Sequence, residues 1–179
     1  LNTFGSLYAI DPKTLKILWF INLKQSADLN PSNLFIGNQV VIKDDKAVIS
    51  SNQFTYVINI NTGLILYKKN FSTLIKPIII EKYIFLVTKN NFLIAMNLLE
   101  GNILFSSDIN QNIANFLDIK KSNALIENFY ILNNKIYIFL KNSHFLKFSE
   151  AGILEEVDKL SSKINSKPIF IDGSVLYLN

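Results

Sequence analysis

Apolar and polar residues alternate in short runs along the chain, and the runs are separated by clusters of Asp, Asn, Gly, Pro or Lys. Alternation with a period of two places successive side chains on opposite faces, so these runs predict β-strands. Residues 5–19, GSLYAIDPKTLKILW, read as a strand, a turn and a second strand that ends on the only Trp. Four further stretches read as tight hairpins: VVIKDDKAVIS at 40–50, PIIIEKYIFLV at 77–87, YILNNKIYIFL at 130–140 and PIFIDGSVLYL at 168–178. Their turns are predicted at Asp44-Asp45-Lys46, Glu81-Lys82-Tyr83, Asn133-Asn134-Lys135 and Asp172-Gly173, and all but the second carry Asp, Asn or Gly. The longest apolar runs, such as YIFLV at 83–87, are strand-sized and far short of the roughly 20 residues a membrane helix needs.

The opening stretch recurs. Aligned on its turn, it matches QFTYVININTGLILY at 53–67, NFLIAMNLLEGNILF at 91–105 and, in a shorter form, HFLKFSEAGILEE at 144–156. The first three copies end a strand on Asp11, Asn59 or Asn97 and carry an aromatic eight residues later, at Trp19, Tyr67 and Phe105. Gly63 and Gly101 hold matching turn positions; the first copy has Leu15 there, and the fourth keeps Gly152 but has Ser149 at the Asp/Asn place and no aromatic. The anchors at 11, 59, 97 and 149 lie 48, 38 and 52 residues apart, about the length of one four-stranded propeller blade. The hairpins at 77–87 and 168–178 echo each other at a separation of 91 residues, and SNLFIGN at 32–38 echoes SNALIEN at 122–128.

Each unit thus reads as hairpin, short link, hairpin. A four-stranded sheet cannot bury both faces alone, and radial stacking of such sheets solves that while leaving only short edges. A two-sheet sandwich would not repeat at this length. The expected fold is an all-β propeller with blades at about 38–71, 77–109 and 129–160 and complementary half-blades at 5–23 and 168–179. Trp19, Tyr67 and Phe105 then sit on outermost strands, where a ring fills the gap between neighbouring blades. Lys68-Lys69 on the same strand would discourage a foreign sheet from pairing with that edge.

LYAIDPKTLKILW at 7–19 resembles the repeat of the pyrroloquinoline-quinone-like propellers, in which Leu-Tyr-Ala-Leu-Asp is followed by a Thr-Gly-Lys turn and a Trp. VININTGLILY at 57–67 is similar, with Asn59, Thr62, Gly63 and Tyr67 at the matching places. The resemblance implies one of two branches: the quinone-dependent alcohol and sugar dehydrogenases, or non-catalytic, BamB-like scaffold lipoproteins of outer-membrane β-barrel assembly. The second branch implies a periplasmic scaffold that docks to an envelope assembly protein, with any lipid anchor carried by an upstream segment. A sugar- or polymer-binding propeller is a third alternative.

Composition narrows the chemistry. The chain has 179 residues, 49% of them hydrophobic, and a net charge of +4. All 18 basic residues are Lys, dispersed along the sequence. Arg, the residue of bidentate phosphate and guanine recognition, is absent, so no nucleic-acid partner is expected. With no Cys there is neither a disulfide nor a thiolate metal site, and the adjacent Cys pair of the quinone dehydrogenases is missing. Asp44-Asp45 falls in a turn, Glu155-Glu156 on the degenerate fourth copy, and Asp11, Asn59 and Asn97 read as turn formers. His144 is the only His, which rules out a His-rich metal site. Gly63, Gly101 and Gly152 are turn glycines, not a phosphate loop. The expectation is no catalytic, cofactor-binding or metal-binding residue in this chain, and hence a non-enzymatic binding protein.

The candidate binding surface lies in the two longest inter-blade links, 24–39 and 110–128. They carry Leu29, Leu34 and Phe35, then Ile113, Phe116 and Leu117. These apolar residues either pack as extra structure or form a protein-docking rim, with Leu34, Phe35, Ile113, Phe116 and Leu117 as its candidate anchors. The complementary half-blades admit three arrangements: part of a seven- or eight-bladed propeller, a four-bladed ring closed by its own ends, or an end-to-end homodimer forming a larger ring.

Overall fold

The computed structural model describes residues 1, 5–23, 39–51, 53–73, 75–162, 168–171 and 174–176. β1 (Ser6–Ile10) and β2 (Ile17–Asn22) form an antiparallel pair. A four-stranded sheet follows, in the order β3 (Val41–Lys43), β4 (Lys46–Ser50), β5 (Thr55–Asn59), β6 (Ile65–Lys69). The next has the order β7 (Ile78–Ile80), β8 (Tyr83–Val87), β9 (Phe92–Asn97), β10 (Ile103–Asp108). After α1 (Ile109–Leu117) comes the sheet β11 (Ile126–Leu132), β12 (Lys135–Leu140), β13 (His144–Ser149), β14 (Leu154–Lys159). β15 (Ile169–Ile171) and β16 (Ser174–Leu176) form a last antiparallel pair. Every strand pairs with its sequence neighbour, as in propeller blades.

The chain forms two compact units, Leu1–Lys89 with Asn97–Gly101, and Asn90–Met96 with Asn102–Asn179. In the first, Leu7, Leu23, Ile49, Tyr56 and Ile58 form a buried cluster, with Trp19, Ile21, Val40 and Phe54 packed on it, so the β1–β2 hairpin lies against the β3–β6 sheet. In the second, Phe170 of β15 packs on Tyr130, Tyr137 and Phe139 of the β11–β14 sheet, with ring centroids 5.4–6.3 Å apart. Middle strands β4, β5, β8 and β9 are buried on both faces, which is why they read as unbroken apolar runs and not as strict alternation.

The hairpin turns are tighter than the sequence suggests. Lys46, Tyr83 and Lys135 already belong to β4, β8 and β12, leaving two-residue turns at 44–45, 81–82 and 133–134. Asn133 and Asn134 both have positive φ, 49° and 57°, the pairing of a turn whose twist suits a two-residue hairpin. Asp172-Gly173 lies outside the described residues, as does the link carrying Leu29, Leu34 and Phe35. The helix is the element that alternation did not announce. Asp108 caps it by accepting from the Gln111 N–H at 3.0 Å, and Asp118 ends it in the left-handed region at φ 52°.

Candidate functional site

Each of the four repeated turns is held by the side chain of its anchor residue. Asp11 Oδ1 accepts from the Lys13 and Thr14 N–H groups, Asn59 Oδ1 from Asn61 and Thr62, and Asn97 Oδ1 from Leu99 and Glu100. Ser149 Oγ accepts from the Ile153 N–H at 3.2 Å. The Lys13 N–H and then the Thr14 hydroxyl, which donates to Asp11 Oδ2 at 2.9 Å, hold the Asp11 carboxyl below its ordinary value. These anchors are therefore engaged in building turns.

Three of the turns receive an aromatic ring from the preceding outer strand. A Cβ on Gly63 would lie 2.7 Å from the Trp19 ring, and one on Gly101 would lie 2.9 Å from the Tyr67 ring. At Gly152 it would lie 2.5 Å from Phe105 Cδ2 and closer still to Cε2. Two of the rings are also tied down by a polar bond of their own. Trp19 Nε1 donates to the Ile60 carbonyl at 2.8 Å, and the Tyr67 hydroxyl donates to Leu98, the equivalent carbonyl, at 2.7 Å. Phe105 has no polar tip; Ser107 Oγ, two residues on, donates to the Gly152 carbonyl at 2.8 Å. Ring and glycine thus act as a staple from one blade to the next.

Burial pushes the Tyr67 phenol up to about 12. The folded chain therefore keeps a proton that the unfolded chain releases near pH 10, and Tyr67's contribution to stability, complete below about 10, is lost as pH rises through about 12. Urea midpoints at about pH 9 and about pH 11 should show this loss, and Tyr67→Phe should reduce it.

α1 is anchored at its start and open at its end. Asn91 Nδ2 donates to Asn110 Oδ1 (3.1 Å), Asn123 Oδ1 (3.0 Å) and the Ala124 carbonyl (2.6 Å), and the Ile109 N–H donates to the Asn91 carbonyl at 2.9 Å. Asn91 is buried with φ 58°, a left-handed conformation that Asn tolerates well. Lys121 pairs with Asp108 at 2.8 Å; burial opposes the charge, but Lys121 and the Gln111 N–H keep the Asp108 carboxyl below its usual value. Asn112 Nδ2 donates to Ser107 Oγ and to the Asp108 carbonyl, so the helix start is fixed to β10, and α1 also lies against β14. Ile109 and Ala114 are buried and Ile113 half-buried, whereas Phe116 (49%), Leu117 and Ile119 are exposed. The site residues Ile113, Phe116 and Leu117 are thus brought together on one helix; Leu34 and Phe35 lie outside the described residues.

Sequence reading missed Asn91, whose neighbours Asn110 and Asn123 are far along the chain. It also missed what replaces the aromatic in the fourth copy. Just past a register shift, Trp19 faces Ala9, Tyr67 faces Val57 and Phe105 faces Ala95. The same register position in the last sheet pairs Glu156 with Lys147, at 3.1 Å. The Glu156 hydrogen bond raises the Lys147 pKa. His144 begins β13, its Nδ1 3.1 Å from the Asn142 carbonyl. Among the described residues, no three or more His, Asp or Glu side chains gather as a metal site, and no helix is long and apolar enough to cross a membrane.

No protein-family model matches the sequence, and no curated protein matches it. Among solved structures the chain is similar to BamB from Moraxella catarrhalis, with a TM-score of 0.67 and 12% identity over 96% of this chain and 48% of that one. It is equally similar to the computationally designed Ika8 protein, with a TM-score of 0.67 and 12% identity over 98% of this chain and 50% of that one. Quinohemoprotein alcohol dehydrogenase from Comamonas testosteroni gives a TM-score of 0.66 and 8% identity over 98% of this chain and 36% of that one. The chain thus spans half or less of the length of these structures. The repeated sheets, the ring-on-glycine turns and these likenesses together give the chain a β-propeller fold.

Proposed function

We propose that the chain is a non-catalytic propeller scaffold that binds a protein of the bacterial envelope, in the manner the BamB-like resemblance implies, and works in the periplasm. The observation that carries this reading is the end of α1. A helix fixed at its N-terminal end by Asn91, Asp108 and Asn112 leaves Phe116 and Leu117 exposed, together with Ile119 just past its end. Pre-ordered apolar anchors are what dominate protein interfaces, because little entropy is lost when they are covered.

Phe116→Ala and Leu117→Ala test the reading. Each residue is exposed, so stability should change by less than about 0.5 kcal/mol. Affinity for the envelope partner captured by the wild-type chain should fall about 30-fold at an anchor residue. Undiminished capture by both folded variants would remove the rim from consideration. Supplying pyrroloquinoline quinone and calcium provides the opposing arm: reconstituted dye reduction would support the dehydrogenase reading instead.

A further inference from the structure

The staple that links successive blades stops at two places, and the two interruptions complement each other. Three turns carry a glycine under an incoming ring. The first turn carries Leu15, at φ 56° and 77% exposed. A ring seated there as on Gly63 would collide with the Leu15 Cβ. Three outer strands carry the ring; β14 carries Glu156 in its place, with Glu155 before it. A turn without the glycine and a strand without the ring each fail with an ordinary neighbour, yet they suit each other.

Charge points the same way. The first turn holds Lys13 and Lys16, both exposed, at positions occupied by Asn61 and Leu64 in the second turn and by Leu99 and Asn102 in the third. β14 presents Glu155 and Glu156 where β2 and β6 present Leu18-Trp19 and Leu66-Tyr67. Within the chain Glu155 pairs with Lys135 at 2.6 Å and Glu156 with Lys147 at 3.1 Å, and all four side chains are partly exposed.

Shape agrees as well. One face of β1–β2, with Leu7, Trp19 and Ile21, is covered by the β3–β6 sheet. The other face is open and apolar, with Tyr8, Ile10, Leu18 and Phe20 exposed and the Tyr8 and Phe20 rings stacked at 6.0 Å. On the last sheet, the face that receives Phe170 through Tyr137 and Phe139 continues through their cross-strand partners Lys147 and Phe145 to Glu156.

We propose that a second copy of the chain covers these surfaces. The Leu15 turn of each protomer seats on β14 of its partner, Lys13 and Lys16 meeting Glu155 and Glu156. The Tyr8–Phe20 face covers the Phe145 side of the partner's sheet. The inner hairpin β15–β16 of one protomer and the outer hairpin β1–β2 of the other complete a four-stranded blade. The proposal is independent of the α1 rim.

Light scattering on the 179-residue chain at micromolar concentration should give twice the chain mass. Lys13→Glu/Lys16→Glu should self-associate at least about tenfold more weakly, and so should Glu155→Lys/Glu156→Lys, because each places like charges at both seams. An equimolar mixture of the two variants should recover the dimer, since both seams of the mixed pair are then complementary. A wild-type mass other than the dimer's would overturn the proposal; a monomeric mass would fit closure within one chain or a longer propeller. Folded variants that dimerise alone, or that stay monomeric when mixed, would overturn it too. If a variant loses its β-sheet circular dichroism, the wild-type dimer decides: its dissociation must increase with ionic strength, and a salt-independent dimer refutes the seam.

Discussion

Gly152→Ala is expected to destabilise the chain by about 2–4 kcal/mol, with the urea midpoint falling and the slope unchanged. Two penalties add. The residue sits at φ 78°, where an L side chain costs about 1 kcal/mol. The new methyl would also lie 2.5 Å from Phe105 Cδ2, inside the distance that packed carbons tolerate, so the ring must give way. It cannot move freely, because Ser107 fixes β10 to the Gly152 carbonyl. The two penalties separate in a double-mutant cycle. In a Phe105→Ala background only the backbone penalty of about 1 kcal/mol should remain, leaving a coupling of about 1–3 kcal/mol. Equal costs in both backgrounds would mean that the ring does not press on the turn. The first turn supplies a natural control: Leu15→Gly relieves a positive φ with no ring above it, and should stabilise the monomer by up to about 1 kcal/mol.

The parts of this architecture that were legible beforehand are the local ones. Strand alternation, the Asn133-Asn134 hairpin and the Asp11, Asn59 and Asn97 turns depend on residues within a few positions of one another, so spacing alone reveals them. The ring of Trp19 was legible as an inter-blade filler, but its target was not, because the carbonyl it binds, at Ile60, lies 41 residues away. Glu156 escaped for a different reason. Counting eight residues from the turn anchor finds Trp19, Tyr67 and Phe105, but the fourth turn is one residue shorter, and only the strand register shows that Glu156 has taken the place. The helix did leave signals. Ile109, Ile113, Phe116 and Leu117 follow helical spacing behind a capping Asp108, but the stretch is short and uncharged, and expectations set by the repeating strands outweighed it.

The second large effect is expected at Tyr56, where the β1–β2 hairpin meets its neighbouring sheet. The side chain is 1% exposed and packs in the cluster with Leu7, Leu23, Ile49 and Ile58. Tyr56→Ala removes an aromatic ring from a site whose walls belong to two separate sheets, so collapse cannot fill the space cheaply, and a loss of about 3–5 kcal/mol follows. Tyr56→Phe keeps the ring and loses the hydroxyl, with its 3.3 Å bond to the Leu23 carbonyl and its contact with the Ser51 side chain, so it should cost only about 1 kcal/mol. The difference between the two variants isolates packing from hydrogen bonding. Hydrogen exchange adds the location. Because Tyr56 bridges the hairpin to the sheet, Tyr56→Ala should strip protection first from β1 and β2, while the β11–β14 amides keep theirs until global unfolding. Uniform loss of protection across both compact units would mean that they unfold as one cooperative body, and the hairpin would then owe its stability to more than the Tyr56 cluster.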